Sequence, residues 1–248
     1  MGQLRIKIAA LVLTIVIFGL VAPVKAEPYD DCIGLAASDP ARAEIEARRW
    51  IEDGGGAPAR HCRAMALLAK GAERRAAELI VEIATDDRTL PDEVRSDMLI
   101  EAGEIYLGLG EVALGRGIAS RALQLAREPR AALTLLARLK AEEGDWSGAV
   151  SDLDGALANG EPDPELLVLR ASARLHLGAR VAARGDLIWA TEIAPDLASV
   201  WLERGTLEAA SDDRDAARAA WLKAIALDRD GIVGEAARLR LQKMEAGN

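Results

Sequence analysis

The chain has 248 residues, half of them apolar, and a formal net charge of −9. That length suits one or two compact domains or a single array of repeats, and the apolar content excludes a disordered chain. The acidic balance argues against nucleic acid or an anionic membrane surface as partner.

In chain order, the first element is an address. Met1 to Lys7 carries Arg5 and Lys7, the uncharged run IAALVLTIVIFGLVAPV follows, and Val24-Lys25-Ala26 closes it with small residues at the two positions a signal peptidase reads. Residues 1–26 therefore read as a cleaved secretory signal, and Pro23 also favours cleavage. The competing reading is an uncleaved inner-membrane anchor over residues 6–24, because the run approaches the roughly 20 residues of a spanning helix. No cysteine directly follows the run, which argues against a lipid-modified terminus. Cleavage removes Arg5, Lys7 and Lys25 and takes the net charge to −12. The expected location is outside the cytoplasm, in a periplasm.

Beyond the address, aromatics make up 3% of the chain and the single phenylalanine, Phe18, lies inside the apolar run. A core must then come from Leu, Ala, Ile and Val, and alanine and the straight-chain residues are strong helix formers. No segment alternates with the period of two that marks a half-buried strand. The fold class is all-α.

Cys32 and Cys62 both lie in the exported part. Two thiols in an oxidising compartment usually pair, and a loop of this length would restrict the unfolded chain by roughly 3–4 kcal/mol. The alternatives are two buried free thiols, or a redox or metal site. Against the last stands the absence of a Cys-x-x-Cys spacing and of four zinc ligands: His61 adjoins Cys62, but the other histidine is the distant His176.

From about residue 57 the sequence repeats. A shift of 34 residues aligns Gly103, Ala137, Ala171 and Gly205; Leu99, Leu133, Leu167 and Trp201; and Gly110, Gly144, Gly178 and Asp212. It also aligns Gly115, Ala149, Ala183 and Ala217; Ala119, Leu153, Leu187 and Trp221; and Ala122, Ala156, Ala190 and Ala224. Small residues in the columns of Gly103 and Gly115 let two antiparallel helices approach closely. The column of Gly110 falls between them, where glycine can take the left-handed conformation that ends a helix. Asp163-Pro164 supplies an N-cap and a first-turn proline. An earlier copy, PARHCRAMALLAKGAERRAAELIVEIA, precedes the next by 39 residues, and the five extra predict a longer loop and an added helical turn near Pro91.

This pattern resembles the tetratricopeptide repeat, a helix–turn–helix of 34 residues. It departs from that skeleton in aromatics: Tyr106 fits, but its counterparts are Lys140, Arg174 and Glu208. The resemblance implies a right-handed α-solenoid of antiparallel helix pairs. The expected organisation is a degenerate pair over 27–56, five repeats over 57–95, 96–129, 130–163, 164–197 and 198–231, and a capping helix over 232–248. In such arrays first helices stand side by side, which makes a Cys32–Cys62 bridge sterically reasonable.

The resemblance further implies ligand binding along the concave face lined by first helices. The candidate groove residues are Ile100, Glu104 and Leu107; Thr134 and Arg138; Val168, Ser172, Leu175 and His176; and Leu202 and Thr206. Ile100, Leu107 and Leu175 are expected to be partly exposed as an apolar strip, whereas Val168 and Leu202 can equally pack between helices. The groove lacks the Lys and Asn ladder with which other members hold a peptide carboxylate.

Catalytic readings find little support. GLGEVALGRG has no preceding strand and matches neither G-x-G-x-x-G nor a P-loop. Asp86-Asp87 and Asp212-Asp213 fall at helix boundaries, where they satisfy free N–H groups and the helix dipole. His176 has no identifiable companion nucleophile or carboxylate. The expectation is a non-catalytic exported scaffold for protein or peptide, without cofactor or metal. A chaperone-like holder of exported polypeptides and a structural spacer are the alternatives.

Overall fold

The computed structural model describes residues 28–158 and 160–246. Residues 1–26, read from the sequence as a secretory signal, and the last two residues of the C-terminal segment lie outside them. Among the described residues every element is a helix. They are α1 (Pro28–Ser38), α2 (Pro40–Glu52), α3 (Gly56–Ala69), α4 (Glu73–Asp86), α5 (Asp92–Gly108), α6 (Val112–Leu125) and α7 (Arg130–Glu142). There follow α8 (Trp146–Leu157), α9 (Pro164–His176), α10 (Arg180–Ile193), α11 (Ala198–Ala210), α12 (Arg214–Leu227) and α13 (Ile232–Ala246). Each helix packs on its neighbours along the chain, and α1 on α3, α5 on α7, α9 on α11 and α11 on α13 stand side by side. The result is an all-α solenoid.

One turn recurs five times. Gly71, Gly110, Gly144, Gly178 and Asp212 have φ of 76°, 71°, 78°, 74° and 63°. In each case the next residue donates its N–H to the carbonyl five positions back, as Glu111 does to Tyr106 at 2.9 Å and Asp213 to Glu208 at 3.0 Å. This is the Schellman closure of a helix, with aspartate tolerated once where glycine is usual. The close approach inside a pair is equally literal. A Cβ on Gly115 would lie 3.3 Å from the Gly103 carbonyl oxygen of α5 and 2.8 Å from Leu139 Cδ2 of α7, so this crossing is tight even for a methyl group. In the last pair the Trp221 ring covers Gly205 in the same way, its Nε1–H donating to the Leu202 carbonyl at 3.2 Å.

The five extra residues become the loop after α4 and an added turn of α5, which has 17 residues where α7, α9 and α11 have 13. Arg95 in that turn is buried. Its Nε–H donates to the Ala84 carbonyl at 2.7 Å and Nη1 to Asp92 at 2.7 Å, closing the end of α4. The acidic pairs divide. Asp213 caps α12 by accepting the Ala216 N–H at 3.0 Å, and Asp163 caps α9 by accepting from Glu165 and Leu166. Asp86-Asp87 instead ends α4, at the negative end of its dipole. Asp87 is held there by the Thr89 N–H and hydroxyl, at 3.0 and 2.6 Å, which pull its carboxyl below the usual range.

The missing aromatics have a physical replacement. Tyr106 packs in an apolar cluster that includes Ile118. One repeat later the equivalent pair is Lys140 and Asp152, bridged at 2.7 Å, and after another it is Arg174 and Asp186, bridged at 2.6 Å. Arg170 adds a second bond to the buried Asp186 at 2.7 Å and also reaches Asp154 at 2.6 Å. Charge pairs between first and second helices thus stand where rings would otherwise fill the gap. Arg170 holds Asp186 through two parallel bonds, Nε to Oδ2 and Nη2 to Oδ1, which offsets part of the carboxylate's desolvation, and removing one partner alone is the costly change.

Candidate functional site

The first-helix face opens between α7 and α9. A cavity of about 380 Å³ there is lined by Ala137, Arg138 and Ala141 of α7, Leu169, Ser172 and Ala173 of α9, Trp146, Ala149 and Leu153 of α8, and Leu107 at the end of α5. Alanines leave the room and leucines line the rest. Arg138 stands at the rim, its Nη1 donating to both carboxylate oxygens of Glu104 one repeat earlier, at 2.5 and 2.6 Å. Trp146 opens α8, and its ring stacks on His176 with centroids 3.7 Å apart and planes 3° from parallel. A mixed rim over an apolar floor can seat an apolar side chain while offering hydrogen bonds to the backbone that carries it.

Of the candidate groove residues, Leu107, Arg138 and Ser172 line this cavity, with Glu104 and the exposed His176 as immediate neighbours of lining residues. The others are placed differently. Val168 and Leu202 are core residues, 7% and 9% exposed, packed between adjacent helices. Ile100 and Leu175 are half-buried against the core clusters instead of forming a continuous strip with Leu107. Thr134 and Thr206 turn their hydroxyls onto their own helices, donating to the Arg130 and Leu202 carbonyls at 2.8 and 3.0 Å. The apolar strip read along one face is therefore a local hollow: the leucines that would continue it are consumed in helix–helix packing. Trp146 is a lining residue that the choice of first-helix positions misses; its signal is an aromatic standing where other copies have Val112, Arg180 and Arg214.

A second polar constellation lies at the N-terminal end. The Tyr29 hydroxyl is 2.7 Å from His61 Nδ1, and His61 Nε2 is 2.7 Å from Glu101. With Nε2–H donated to the carboxylate, Nδ1 accepts from the phenol. Beside it Ala57, Pro58, Leu90, Val94 and Met98 line a hollow of about 400 Å³. A nucleophilic phenolate would need a lowered pKa, but burial and the Glu101 and Asp30 charges push Tyr29 up. The relay ties α1, α3 and α5 together. Cys32 on α1 and Cys62 on α3, bonded to each other across a Cα–Cα distance of 6.1 Å, reinforce the same junction. Among the described residues, no group of three or more His, Cys, Asp or Glu side chains is arranged to hold a metal ion. No helix there is long and apolar enough to cross a membrane.

Comparison with solved structures shows which architecture this is. PilF of Pseudomonas aeruginosa superposes with a TM-score of 0.66 at 17% identity, over 89% of this chain and 97% of that one. A tetratricopeptide repeat protein from Parabacteroides merdae gives 0.62 at 16% identity, over 89% and 86%. YrrB, described as a TPR protein with an unusual peptide-binding site, gives 0.55 at 18% identity, over 77% and 96%. The chain has the tetratricopeptide-repeat fold. No family model matches its sequence, and no curated protein does either. For this repeat protein the likeness rests on helix geometry, with the ion pairs at Lys140 and Arg174 standing where the family's pattern has rings.

Proposed function

We propose that the protein is a non-catalytic scaffold that binds a protein or peptide segment on its concave, first-helix face after export to a periplasm. The observation that carries this is the cavity between α7 and α9, an alanine-walled hollow with Arg138 and Ser172 at its edge. Its volume of about 380 Å³ lies near the lower end of ligand sites, roughly 300–1,000 Å³, and suits a side chain better than a cofactor. Arg138 is already neutralised by Glu104, so the site offers hydrogen bonds more than net charge. The five-repeat organisation supplies the rigid frame that a peptide groove requires. Export is supported by the signal-like segment 1–26 and by a disulfide, which persists in oxidising compartments.

The test is site-specific photocrosslinking in the native envelope, with the probe placed at Ser172 on the inner face or at Ser151 on the outer face. The reading expects one or a few discrete adducts from Ser172 and none from Ser151. Adducts from Ser151 alone would move the partner to the outer face. Edman sequencing of the purified protein checks export: the chain should begin at Glu27, and residues 1–26 still attached would make it an anchored protein.

A further inference from the structure

The second helices form the outer face, and the repeat supplies its own control for what that face requires. Inward positions of α10 are met by Ala183, Leu187 and Ala190, all buried. Its outward positions nevertheless carry Val181, Ile188 and Trp189, which are 89%, 51% and 45% exposed. One repeat earlier the same positions hold Ser147, Asp154 and Gly155, and one repeat later Asp215, Leu222 and Lys223. Nothing in the packing of the array asks for three large apolar side chains at this one place. A contiguous exposed patch of this kind marks an interaction surface.

The patch is symmetric about a glycine. Gly185 lies between Val181 and Trp189, four residues from each, and a Cβ there would meet nothing within 4 Å. We propose that this face is a two-fold self-association surface, in which α10 packs antiparallel across α10 of a second copy with the crossing at Gly185. A two-fold interface must be self-complementary, and here residues equally far from Gly185 meet. Val181 packs on the second copy's Trp189, and Trp189 on the second copy's Val181. The two glycines allow the backbones to approach, and Ile188 fills the flank. Charge agrees with this register. Glu192, exposed on the same face, comes to lie over the start of the second copy's α10. There the N-cap is Ala179, with no side chain accepting a first-turn N–H. A carboxylate at an uncapped helix N-terminus is favourable. Arg184, at the edge of the strip, is already engaged by Glu208 at 2.7 Å and adds no free positive charge.

One helix face is smaller than the roughly 800 Å² per partner of a standard interface, so the dimer is a weak, reversible one. The outer face is opposite the proposed groove, and the dimer leaves that groove open. Sedimentation equilibrium of the protein from about 1 to 300 µM should therefore show a monomer–dimer equilibrium. Val181→Glu and Trp189→Lys, each at an exposed position, should each shift the equilibrium to monomer by at least about tenfold in Kd with unchanged melting. Mixing the two variants should restore a heterodimer. The carboxylate introduced in one copy then faces the ammonium introduced in the other, while the remaining Trp189 still faces the remaining Val181. A protein that stays monomeric at about 300 µM overturns the proposal, as does a dimer that survives both substitutions. Failure of the mixed pair to associate overturns the antiparallel register. If the protein is monomeric and Val181→Glu instead removes binding to another protein or to anionic vesicles, the strip belongs to that partner and the proposal fails.

Discussion

The two ends of this array face the same problem and solve it with different chemistry. A terminal repeat lacks one neighbour and must cover an apolar face that inner repeats bury against each other. At the N-terminal end the buried groups of the core are small, Ala36, Ala43, Ala47, Ala66 and the two cysteines, while the larger Ile33, Leu35, Trp50 and Met65 are only half-buried around them. That end is held instead by the Cys32–Cys62 bond, by the Tyr29–His61–Glu101 relay, and by Glu44 of α2, which accepts from Lys70 Nζ at 2.6 Å and is also bridged to Arg48. At the C-terminal end Trp221 and Leu202 give the last pair a substantial core, and α13 covers it by close approach. Asp228 accepts from the Val233 and Gly234 N–H groups at 3.0 and 3.2 Å, and Ala237 is fully buried. The N-terminal end is closed by a crosslink over a core of small groups; the C-terminal end is closed by a helix over a larger core, with Arg240–Glu203 and Arg218–Glu245 pairs beside it.

Each half of this contrast can be broken separately. The largest effect falls on the crosslink. Replacing Cys32 and Cys62 by alanine frees a loop with a sequence separation of 30 residues and should cost roughly 3–4 kcal/mol. Hydrogen exchange should then rise in α1 and α2 before any other helix. Uniform loosening along the array would contradict a local role. Next comes Gly234→Ala, whose methyl group would run into the Asp228 carbonyl and force α13 away from α12. About 2–3 kcal/mol is expected, as for other overpacked contacts, with protease sensitivity appearing first in α13. The smallest effect belongs to Glu44. Lys70 and Arg48 lower its carboxyl from 4.5 to about 2, so its contribution is complete above pH 4.5 and is lost as pH falls toward 2. Glu44→Gln should cost about 1–2 kcal/mol at neutral pH and flatten the loss of stability between pH 4.5 and 2. An unchanged acid limb would show that the pair contributes nothing.

The architecture is legible in the sequence because it rests on hard steric constraints that act at fixed spacing. Only a left-handed residue can close the turns at Gly110, Gly144, Gly178 and Asp212, and only a small one fits at Gly103 or Gly115. The 34-residue period therefore survives even where the rings are gone. The inner face is less legible. Its candidates rest on position along a helix, and position does not say whether a neighbouring helix stands close. Val168 and Leu202 are consumed by such a neighbour, whereas Ser172 and Leu107 open onto a hollow because α7 and α9 diverge. The disulfide follows from the count of two cysteines and the expected oxidising compartment. The relay around His61 does not, since its three members are separated by 32 and 40 residues and share no motif. Asp86-Asp87 shows the limit of reading charge at a boundary without knowing which end of the helix it occupies.

The proposed scaffold role stands or falls with the hollow between α7 and α9 as the partner's seat. Filling it with Ser172→Trp tests this most directly, because Ser172 lines the cavity from a half-buried position with space in front of it. Binding should be measured by affinity capture of the crosslinked partner, alongside thermal melting followed by circular dichroism. At least about a tenfold loss of capture is expected, with the melting midpoint within a few degrees of the parent. A folded variant that captures the partner undiminished would contradict it.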